Sequence, residues 1–444
     1  MVSPVTEAGG VLGFQPWSPT EGPAMKRPSQ ESFQHGVQVA GLALGIGFAL
    51  FFIIFSVVIR ITDIQVYRMG GDVLLDGRDL YSAVDTVKDL RFTYTPFAAM
   101  LFVPVSLLPS ELSQVVWTVV LLVSLYFFCA MSYEAALGPV VSRRLLVFGS
   151  LAGFTLLLDP VRKNFELGQI NLVLALLIMA DLLGRGRRVP QGVLIGIAAG
   201  IKLTPLIFVP FLLLTGRWRG ALWAGAAFAG TVAVGFLVAP GSSATYWGHV
   251  FLDADHVGGI PFVSNQSLLG VLARPMLGAD GAEPLFMPLA AVLLVVGLVV
   301  SVLLFRRGLD LLGGLTCALT ALLVSPISWS HHWVWMVPML LYLSFHPNRP
   351  RWGRVYATAA FTLFALGPIW WFPNTHDLGL SYHGWRLVAV NCYFAAGLLL
   401  LALLTTCLRW PSSSALPRWP AAAPGKSVSS APWSTGPPNS AQAG

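Results

Sequence analysis

The chain of 444 residues is 55% hydrophobic and only 11% charged, and it carries a formal net charge of +7. A soluble domain has about 25% charged residues, so this composition excludes an ordinary soluble protein. Most of the basic residues fall in short turns between apolar runs, where a positive excess indicates membrane topology rather than nucleic-acid binding.

Apolar runs of the length that a bilayer-spanning helix needs recur along the chain. They predict an all-α polytopic membrane protein, with about 11–13 transmembrane helices by run length. The predicted membrane domain covers 37–410. The flanking segments 1–36 and 411–444 are rich in Gly, Pro, Ser or Ala, so we expect disordered tails, the first of them cytoplasmic. The predicted spans lie at 37–59, 114–132, 145–158, 167–183, 192–215, 220–239, 285–305, 310–326, 333–346, 353–371 and 386–408.

Basic clusters predict the orientation of these spans. The positive-inside rule places the clusters in the cytoplasm, and they lie at 143–144, 185–188, 217–219, 306–307 and 349–354. Loop 60–95 then lies outside. The short apolar segment 96–109 conflicts with this scheme, because a full crossing would put 143–144 outside. Either this segment is re-entrant or one basic cluster breaks the rule.

Loop 60–95 contains six of the 20 acidic residues of the chain. Asp63 stands apart from the other five because it follows the first predicted helix directly, at the membrane surface. A carboxylate that is partly removed from water is suited to general-base catalysis. Position alone leaves a second interpretation open, in which Asp63 is a solvated helix-end charge paired with Arg60 or Arg68.

Several blocks of sequence resemble one enzyme family. The blocks are TDIQVYRMGGDVLLDGRDLY, FTYTPFAAMLFVPVSLLP, NFELGQINLVLALLIMADLL, GVLIGIAAGIKLTPLIFVPFLLL, SNQSLLG and SPISWSHHWVWMVP. In this order they resemble the bacterial polyprenol-phosphate-mannose-dependent α-1,2-mannosyltransferases of glycosyltransferase family 87, which have a C-type glycosyltransferase fold. The likeness covers about 60–345 of this chain. One departure is Thr95, where the family often has a proline.

The resemblance implies a reaction and its partners. Mannose would pass with inversion from polyprenyl-phosphate-mannose to a mannoside acceptor, forming an α-1,2 linkage. Asp63 matches the acidic residue that deprotonates the acceptor hydroxyl. The implied acceptor is a phosphatidylinositol mannoside, lipomannan or lipoarabinomannan, and the implied location is the bacterial plasma membrane with an extracytoplasmic site. Membrane lipids are then partners, whereas nucleic acid is not, and no cofactor is expected.

A departing lipid phosphate needs positive charge or hydrogen-bond donors near it. The candidates are Arg162, Lys202, His331 and His332. Each of these residues could also have a role without the phosphate. Arg162 could contact lipid headgroups, and Lys202 could extend its ammonium group to the membrane surface. Of the two adjacent histidines, only one is expected to act.

Sugar hydroxyls suit amide and other polar side chains, and the candidates are Tyr67, Arg68, Asn164, Gln169, Asn171, Asn265 and Gln266. Helix capping and helix–helix contacts are the alternatives for the amides, and Asn265 also begins a glycosylation sequon.

One further stretch of sequence has the residue types of a metal site. His249, Asp253, Asp255 and His256 in YWGHVFLDADH have oxygen and nitrogen ligands for a divalent metal, but the spacing fits a plain loop or short helix equally well. We therefore expect no metal site.

A secondary transporter or flippase of a polar or lipid-linked substrate is the alternative function. It is less favoured because we find no internal repeat and no counterpart to the break at Lys202.

Overall fold

The computed structural model describes residues 30–85, 90–140, 142–184, 189–253, 256, 258–275, 279–372 and 382–409. Predictions for most of both tails, for Asp255 and for the basic cluster 185–188 lie outside these residues. The described α-helices are α1 (Gln30–Val58), α2 (Thr62–Leu75), α3 (Pro96–Ser106), α4 (Ser110–Leu137), α5 (Arg144–Thr155), α6 (Asp159–Leu167), α7 (Asn171–Leu182), α8 (Val193–Ile201), α9 (Phe208–Leu214), α10 (Trp218–Val238), α11 (Pro240–Gly248), α12 (Leu268–Ala273), α13 (Ala279–Arg306), α14 (Asp310–Val324), α15 (Met336–Phe345), α16 (Gly353–Leu366), α17 (Trp385–Val390) and α18 (Cys392–Thr406).

The predicted all-α polytopic fold is confirmed. The described residues contain no β-structure beyond two isolated bridges, Val84–Arg91 and Asn265–Trp329. Within the same residues, five helices are long and apolar enough to cross a membrane. The count is six if α5 and α6, bent by 87° at their junction, form one span, and four more apolar helices are shorter. Several predicted spans are therefore short or broken helices, which run length alone cannot distinguish from full crossings.

The first helix begins earlier than predicted, at Gln30 rather than at residue 37. It packs closely against α5 through glycine. A Cβ atom added to Gly153 would lie 2.0 Å from the carbonyl oxygen of Gly41. Only a residue without a side chain permits such an approach, and close small-residue contacts of this kind hold membrane helices together. Nearer the end of α1, Phe52 stacks on Phe165 of α6 with 4.9 Å between ring centres.

Arg217 and Arg306 mark one end of the bundle. Arg306 Nη2 donates to the carbonyl at the end of α9 at 3.1 Å, and the Arg217 guanidinium lies 4.4 Å from the ring centre of Phe305. Helix α10 starts beside Arg217 and runs for 21 residues, about 30 Å of helix. Beyond its other end, Ser242 Oγ accepts from the backbone N–H of Leu80 at 3.1 Å. Two predicted cytoplasmic clusters therefore meet at one end, and loop 60–95 lies at the opposite end.

Loop 60–95 and the segment after it form the helical hairpin α2–α3. Arg68 Nη1 donates to the carbonyl of Val105 at 3.0 Å, near the end of α3, and to Ser113 Oγ at 3.1 Å, near the start of α4. At the start of α3, Thr95 caps the helix and donates to the carbonyl of Gly200, near the end of α8. With only 11 residues, α3 does not connect the two ends of the bundle. The structure thus agrees with the re-entrant alternative for 96–109.

Candidate active site

A cavity of about 810 Å³ opens at the loop 60–95 end of the bundle. One side is polar and includes Asp63, Tyr94, Gln169, Lys202 and His332. The other side is apolar and is formed by residues of α9, α13 and α14 and the turn before α9, among them Ile207, Pro210, Leu294, Leu298 and Val324. A cavity with a charged side and a hydrocarbon side suits an amphipathic substrate.

Asp63 lies in the first turn of α2 and contacts Gln169, which is distant from it in sequence. Gln169 Nε2 donates to Asp63 Oδ2 at 2.6 Å. Gln169 is placed by the turn at Gly168, which has φ +75° and whose carbonyl accepts from Trp117 Nε1 at 2.8 Å. A Cβ atom at Gly168 would lie 2.5 Å from Ile64 Cγ1 on α2. Glycine is therefore required here both by the backbone conformation and by the approach of α2.

Lys202 lies in the break that follows α8, on extended backbone. Its Nζ is 3.1 Å from Asn171 Oδ1 and 2.8 Å from His332 Nε2, and the Asp63 carboxylate acts electrostatically on it. An ammonium group only donates hydrogen bonds, so His332 Nε2 accepts and its ring is neutral, with the proton on Nδ1. Lys202 is thus a cation next to Asp63 in the lining of the cavity, and His332 holds it in place.

The other two predicted phosphate ligands lie elsewhere. Arg162 is outside the described lining of the cavity, and its guanidinium pairs with Glu166 at 3.3 Å and Asp159 at 3.8 Å on its own helix. These carboxylates neutralise the guanidinium charge of Arg162, which the sequence analysis had assigned to binding the donor phosphate. His331 is buried, its carbonyl accepts from Asn164 Nδ2 at 2.9 Å, and neither ring nitrogen has a hydrogen-bond partner among the described residues.

The predicted sugar-binding residues near Asp63 divide into two groups. Gln169 lines the cavity, and Asn171 lies beside it in a pocket of about 50 Å³ that shares His332 with the cavity. Tyr67 is completely buried behind the lining, where its hydroxyl contacts that of Tyr94. Arg68 fixes the end of α3, and Asn164 joins Asn171 to backbone carbonyls. These last three positions do not face the cavity, so direct contact with a sugar is not supported for them.

Asn265 and Gln266 brace the loop that precedes α12 rather than facing the cavity. Gln266 Nε2 donates to the carbonyls of Val263 at 2.6 Å and Val390 at 2.7 Å, and its Oε1 accepts from the backbone of Tyr393 at 3.2 Å. In Asn265, the side-chain nitrogen and the side-chain oxygen each form a hydrogen bond with a backbone group. Both side chains are fully buried. Their hydrogen-bonding capacity is taken by the protein itself, so neither sugar binding nor glycosylation at Asn265 fits the structure.

The loop after α11 lines the cavity rim without forming a metal centre in its described part. His256 Nε2 is 3.1 Å from the carbonyl of Phe92, and Asp253 Oδ1 accepts from the backbone of His256 at 3.2 Å. The described residues contain no group of three or more His, Cys, Asp or Glu side chains that could hold a metal ion. Tyr246 also lines the cavity, and burial raises the pKa of its phenol.

Sequence reasoning missed several residues that form the site or support it. Arg91, Tyr94 and Trp329 line the cavity. Asp159, at the bend between α5 and α6, is completely buried and accepts from Trp370 Nε1 at 2.9 Å and Tyr393 Oη at 3.1 Å. Asp159 could have been identified from the sequence, because an acidic residue followed by proline ends an apolar run there (LLLDP).

Comparisons with known proteins agree with this site. The model of Glycosyltransferase family 87 matches residues 92–326. Two relatives are each named polyprenol-phosphate-mannose-dependent alpha-(1-2)-phosphatidylinositol mannoside mannosyltransferase. The one from Mycobacterium tuberculosis is 32% identical over 77% of this chain and 86% of its own length. The one from Mycolicibacterium smegmatis is 34% identical over 74% and 80%.

A third relative, from Mycolicibacterium smegmatis, is named for phosphatidylinositol pentamannoside and is 34% identical over 69% of this chain and 75% of its own length. No solved structure matches the chain significantly. The extent of the family match, together with the multi-pass fold, confirms the resemblance drawn from the sequence. The chain belongs to glycosyltransferase family 87 and is a membrane-embedded glycosyltransferase.

Proposed function

We propose that this glycosyltransferase moves mannose from polyprenyl-phosphate-mannose to a phosphatidylinositol mannoside or a related mannan, with inversion to an α-1,2 linkage. One observation carries the proposal: a carboxylate, Asp63, and a cation, Lys202, line the polar side of the same cavity. The printed names of the relatives supply the donor and the acceptor class. The family assignment argues against the transporter or flippase alternative.

The chemistry needs one base and one anion-stabilising group. The acceptor hydroxyl oxygen attacks the anomeric carbon of mannose while the bond from that carbon to the phosphate oxygen breaks. The hydroxyl proton passes to Asp63, and the electron pair leaves with the polyprenyl phosphate. A phosphate is a weak base and needs no strong acid, but it gains charge as it departs, and Lys202 is placed to stabilise that charge. A single displacement accounts for inversion.

The apolar side of the cavity suits the lipid part of the donor. Leu294 and Leu298 on α13, Val324 on α14, and Ile207 and Pro210 before and in α9 all contribute apolar surface to the cavity. A polyprenyl chain kept against these residues remains in hydrocarbon while its phosphate reaches Lys202. The part of the cavity near Asp253 and Trp329 then remains available to bind the acceptor. Positive clusters at the opposite end of the bundle support an extracytoplasmic cavity in the plasma membrane.

The test supplies purified protein with synthetic polyprenyl-phosphate-mannose and a short phosphatidylinositol mannoside acceptor. We expect an α-1,2-linked mannose in the product by NMR, no transfer from a nucleotide-activated mannose, and no change on addition of a chelator, because the proposal requires no metal. A β-linked product would contradict inversion. A folded protein that transfers nothing but moves the lipid donor between leaflets would replace the proposal with the flippase alternative.

A further inference from the structure

We propose that a directional chain of hydrogen bonds, from the backbone N–H of Ile170 through Tyr67, Tyr94 and Gln169, orients the Asp63 carboxylate, which makes Tyr67 a positioning residue. Ile170 N lies 3.2 Å from Tyr67 Oη, which lies 3.0 Å from Tyr94 Oη. Tyr94 Oη lies 3.2 Å from Gln169 Oε1, and Gln169 Nε2 lies 2.6 Å from Asp63 Oδ2. We call this chain the relay. The inference rests on the proposed function, in which Asp63 is the base.

The direction of the relay is fixed at both ends. The N–H of Ile170 can only donate, so Tyr67 Oη accepts it and sends its own proton to Tyr94. Tyr94 in turn sends its proton to Gln169 Oε1, which leaves the amide NH₂ facing Asp63. At the other end, an ionised carboxylate can only accept, so it requires the same orientation of Gln169. Each member therefore has one arrangement that satisfies its neighbours.

A second chain reaches the same amide independently. Lys202 can only donate, so it fixes Asn171 Oδ1 as an acceptor and turns Asn171 Nδ2 away from the lysine. That Nδ2 group lies 3.1 Å from Asn164 Oδ1 and 3.5 Å from Gln169 Oε1. Both Lys202 and the Ile170 N–H thus assign the acceptor role to Gln169 Oε1. Gln169 consequently joins the cation and the base of the site in one network.

Tyr67 supports the relay without touching the cavity. Its side chain is completely buried and lies outside the described cavity lining. The ring stacks on Phe102 with 4.1 Å between centres, and it contacts Trp117 edge-on at 5.5 Å and Tyr94 edge-on at 5.4 Å. Packing on three sides holds the hydroxyl in place. A change in activity on loss of this hydroxyl must therefore act through its two partners, the Tyr94 hydroxyl and the Ile170 N–H, and not through contact with the substrate.

Breaking the relay has a chemical consequence at Asp63. Without Tyr67 Oη, the Tyr94 hydroxyl loses the donor that fixes its direction, so it holds Gln169 Oε1 less firmly, and the amide gains freedom to rotate and to present its oxygen to the carboxylate. Two acceptor oxygens repel unless Asp63 binds a proton, and a protonated Asp63 is inactive as a base. The relay therefore keeps the carboxylate ionised as well as oriented. Loss of the relay should impair catalysis most at low pH.

The test compares Tyr67→Phe with wild type in the mannose-transfer assay as a function of pH. We expect kcat to fall roughly 5- to 10-fold, the loss of one buried hydrogen bond, and the acidic limb of the kcat profile to move to higher pH, with the donor KM unchanged. Tyr356→Phe is the matched control, because its hydroxyl is also buried and donates to the carbonyl of Ala396 at 2.9 Å, remote from the relay. It should retain the wild-type profile.

Interpretation of the profile requires the other charged and titratable groups. Lys202, Tyr67 and Tyr94 act electrostatically with Asp63. The remaining titratable side chains that line the cavity are Arg91, Tyr246, Asp253, His256 and His332. Apart from Tyr67 itself, all of these groups are unchanged in Tyr67→Phe, so a shift confined to this variant is assigned to the relay.

Each outcome decides the inference. A wild-type kcat and profile in Tyr67→Phe would overturn it, and a lower kcat with an unmoved acidic limb would assign Tyr67 to packing alone. If Tyr67→Phe fails to fold, Tyr94→Phe takes its place. It removes the relay's donor to Gln169 Oε1 directly, so the acidic limb should move to higher pH, and an unmoved limb would contradict the relay. Absence of transfer by folded wild type would instead remove the proposed function.

Discussion

Two pairs of amides with the same chemistry serve different purposes in this molecule. Gln169 and Asn171 bond mainly to other side chains, including the carboxylate and the lysine that face the cavity. Asn265 and Gln266 bond to backbone groups of distant segments and hold a loop in place. The contrast shows that an amide belongs to a site when its partners are themselves reactive groups. Chemical type alone does not decide this.

The largest effect after removal of the base itself should come from Lys202→Met. Loss of a charged donor at a departing phosphate typically reduces kcat on the order of 100-fold or more. The loss should appear in kcat and in kcat/KM for the donor, with the acceptor KM unchanged. Lys163→Met is the matched control, since Lys163 pairs with Glu166 at 2.6 Å outside the described cavity lining. Equal losses in the two variants would contradict a phosphate-binding role for Lys202.

The two amide groups can be separated by activity and stability measured together. Gln169→Leu should lower kcat about 10- to 100-fold, the effect of a hydrogen bond to a charged group, with a smaller fall in Tm than Gln266→Leu, because its partners Asp63 and Tyr94 line the cavity, where water can replace the amide. Gln266→Leu should lower Tm, because the buried carbonyls of Val263 and Val390 lose their donor at a cost of about 1–3 kcal/mol each. Residual kcat of its folded fraction should stay near wild type. The reverse pattern would show that the assignment of the two pairs is wrong.

The turn that carries Gln169 should be more sensitive than its small size suggests. Gly168→Ala forces a side chain into a left-handed conformation and against Ile64 on α2. We expect kcat to fall about tenfold, because Gln169 and Asp63 are moved apart by a shift of a few tenths of an ångström or more. Gly216→Ala supplies a control with comparable backbone strain at φ +80° and no neighbouring atom within 4 Å. Wild-type transfer by Gly168→Ala would show that the turn does not position the base.

The smallest effect should come from Arg162→Met. Its pair with Glu166 is partly exposed, and ion pairs of this kind contribute about 0–1 kcal/mol, while the buried Asp159 keeps its hydrogen bonds from Trp370 and Tyr393. We expect transfer within about threefold of wild type and an unchanged donor KM. A large rise in the donor KM would restore Arg162 as a phosphate ligand, as the sequence alone suggested.

The sequence predicted the fold where hydrophobicity decides it. The predicted span 220–239 closely matches α10, and 285–305 lies within α13. It did not predict α2 and α6, because these helices are polar and are held by contacts far along the chain. Arg68 fixes α3 against α2, and Asp159 accepts bonds from Tyr393 in α18 and from Trp370 in the turn after α16, both more than 200 residues away. Such partners leave no local pattern to read.

The site was predictable to the extent that its residues violate a local rule. Asp63 and Lys202 are charges next to or inside apolar segments, which are costly and usually functional. Tyr94 violates no rule, since an aromatic residue at the end of a loop next to an apolar helix is ordinary. His331 and His332 look alike in sequence, yet only His332 lines the cavity. Neighbouring residues point in different directions, and the tertiary structure alone determines which of them reaches Lys202.

The most direct test of the account measures mannose transfer by wild type, Asp63→Asn and Asp72→Asn under identical conditions. Asp72 lies on the same helix but is exposed and outside the described cavity lining. The account predicts transfer by wild type and Asp72→Asn, and no measurable transfer by a folded Asp63→Asn, because an amide cannot accept the proton of the acceptor hydroxyl. Transfer by Asp63→Asn at a rate near that of wild type would contradict the assignment of Asp63 as the base.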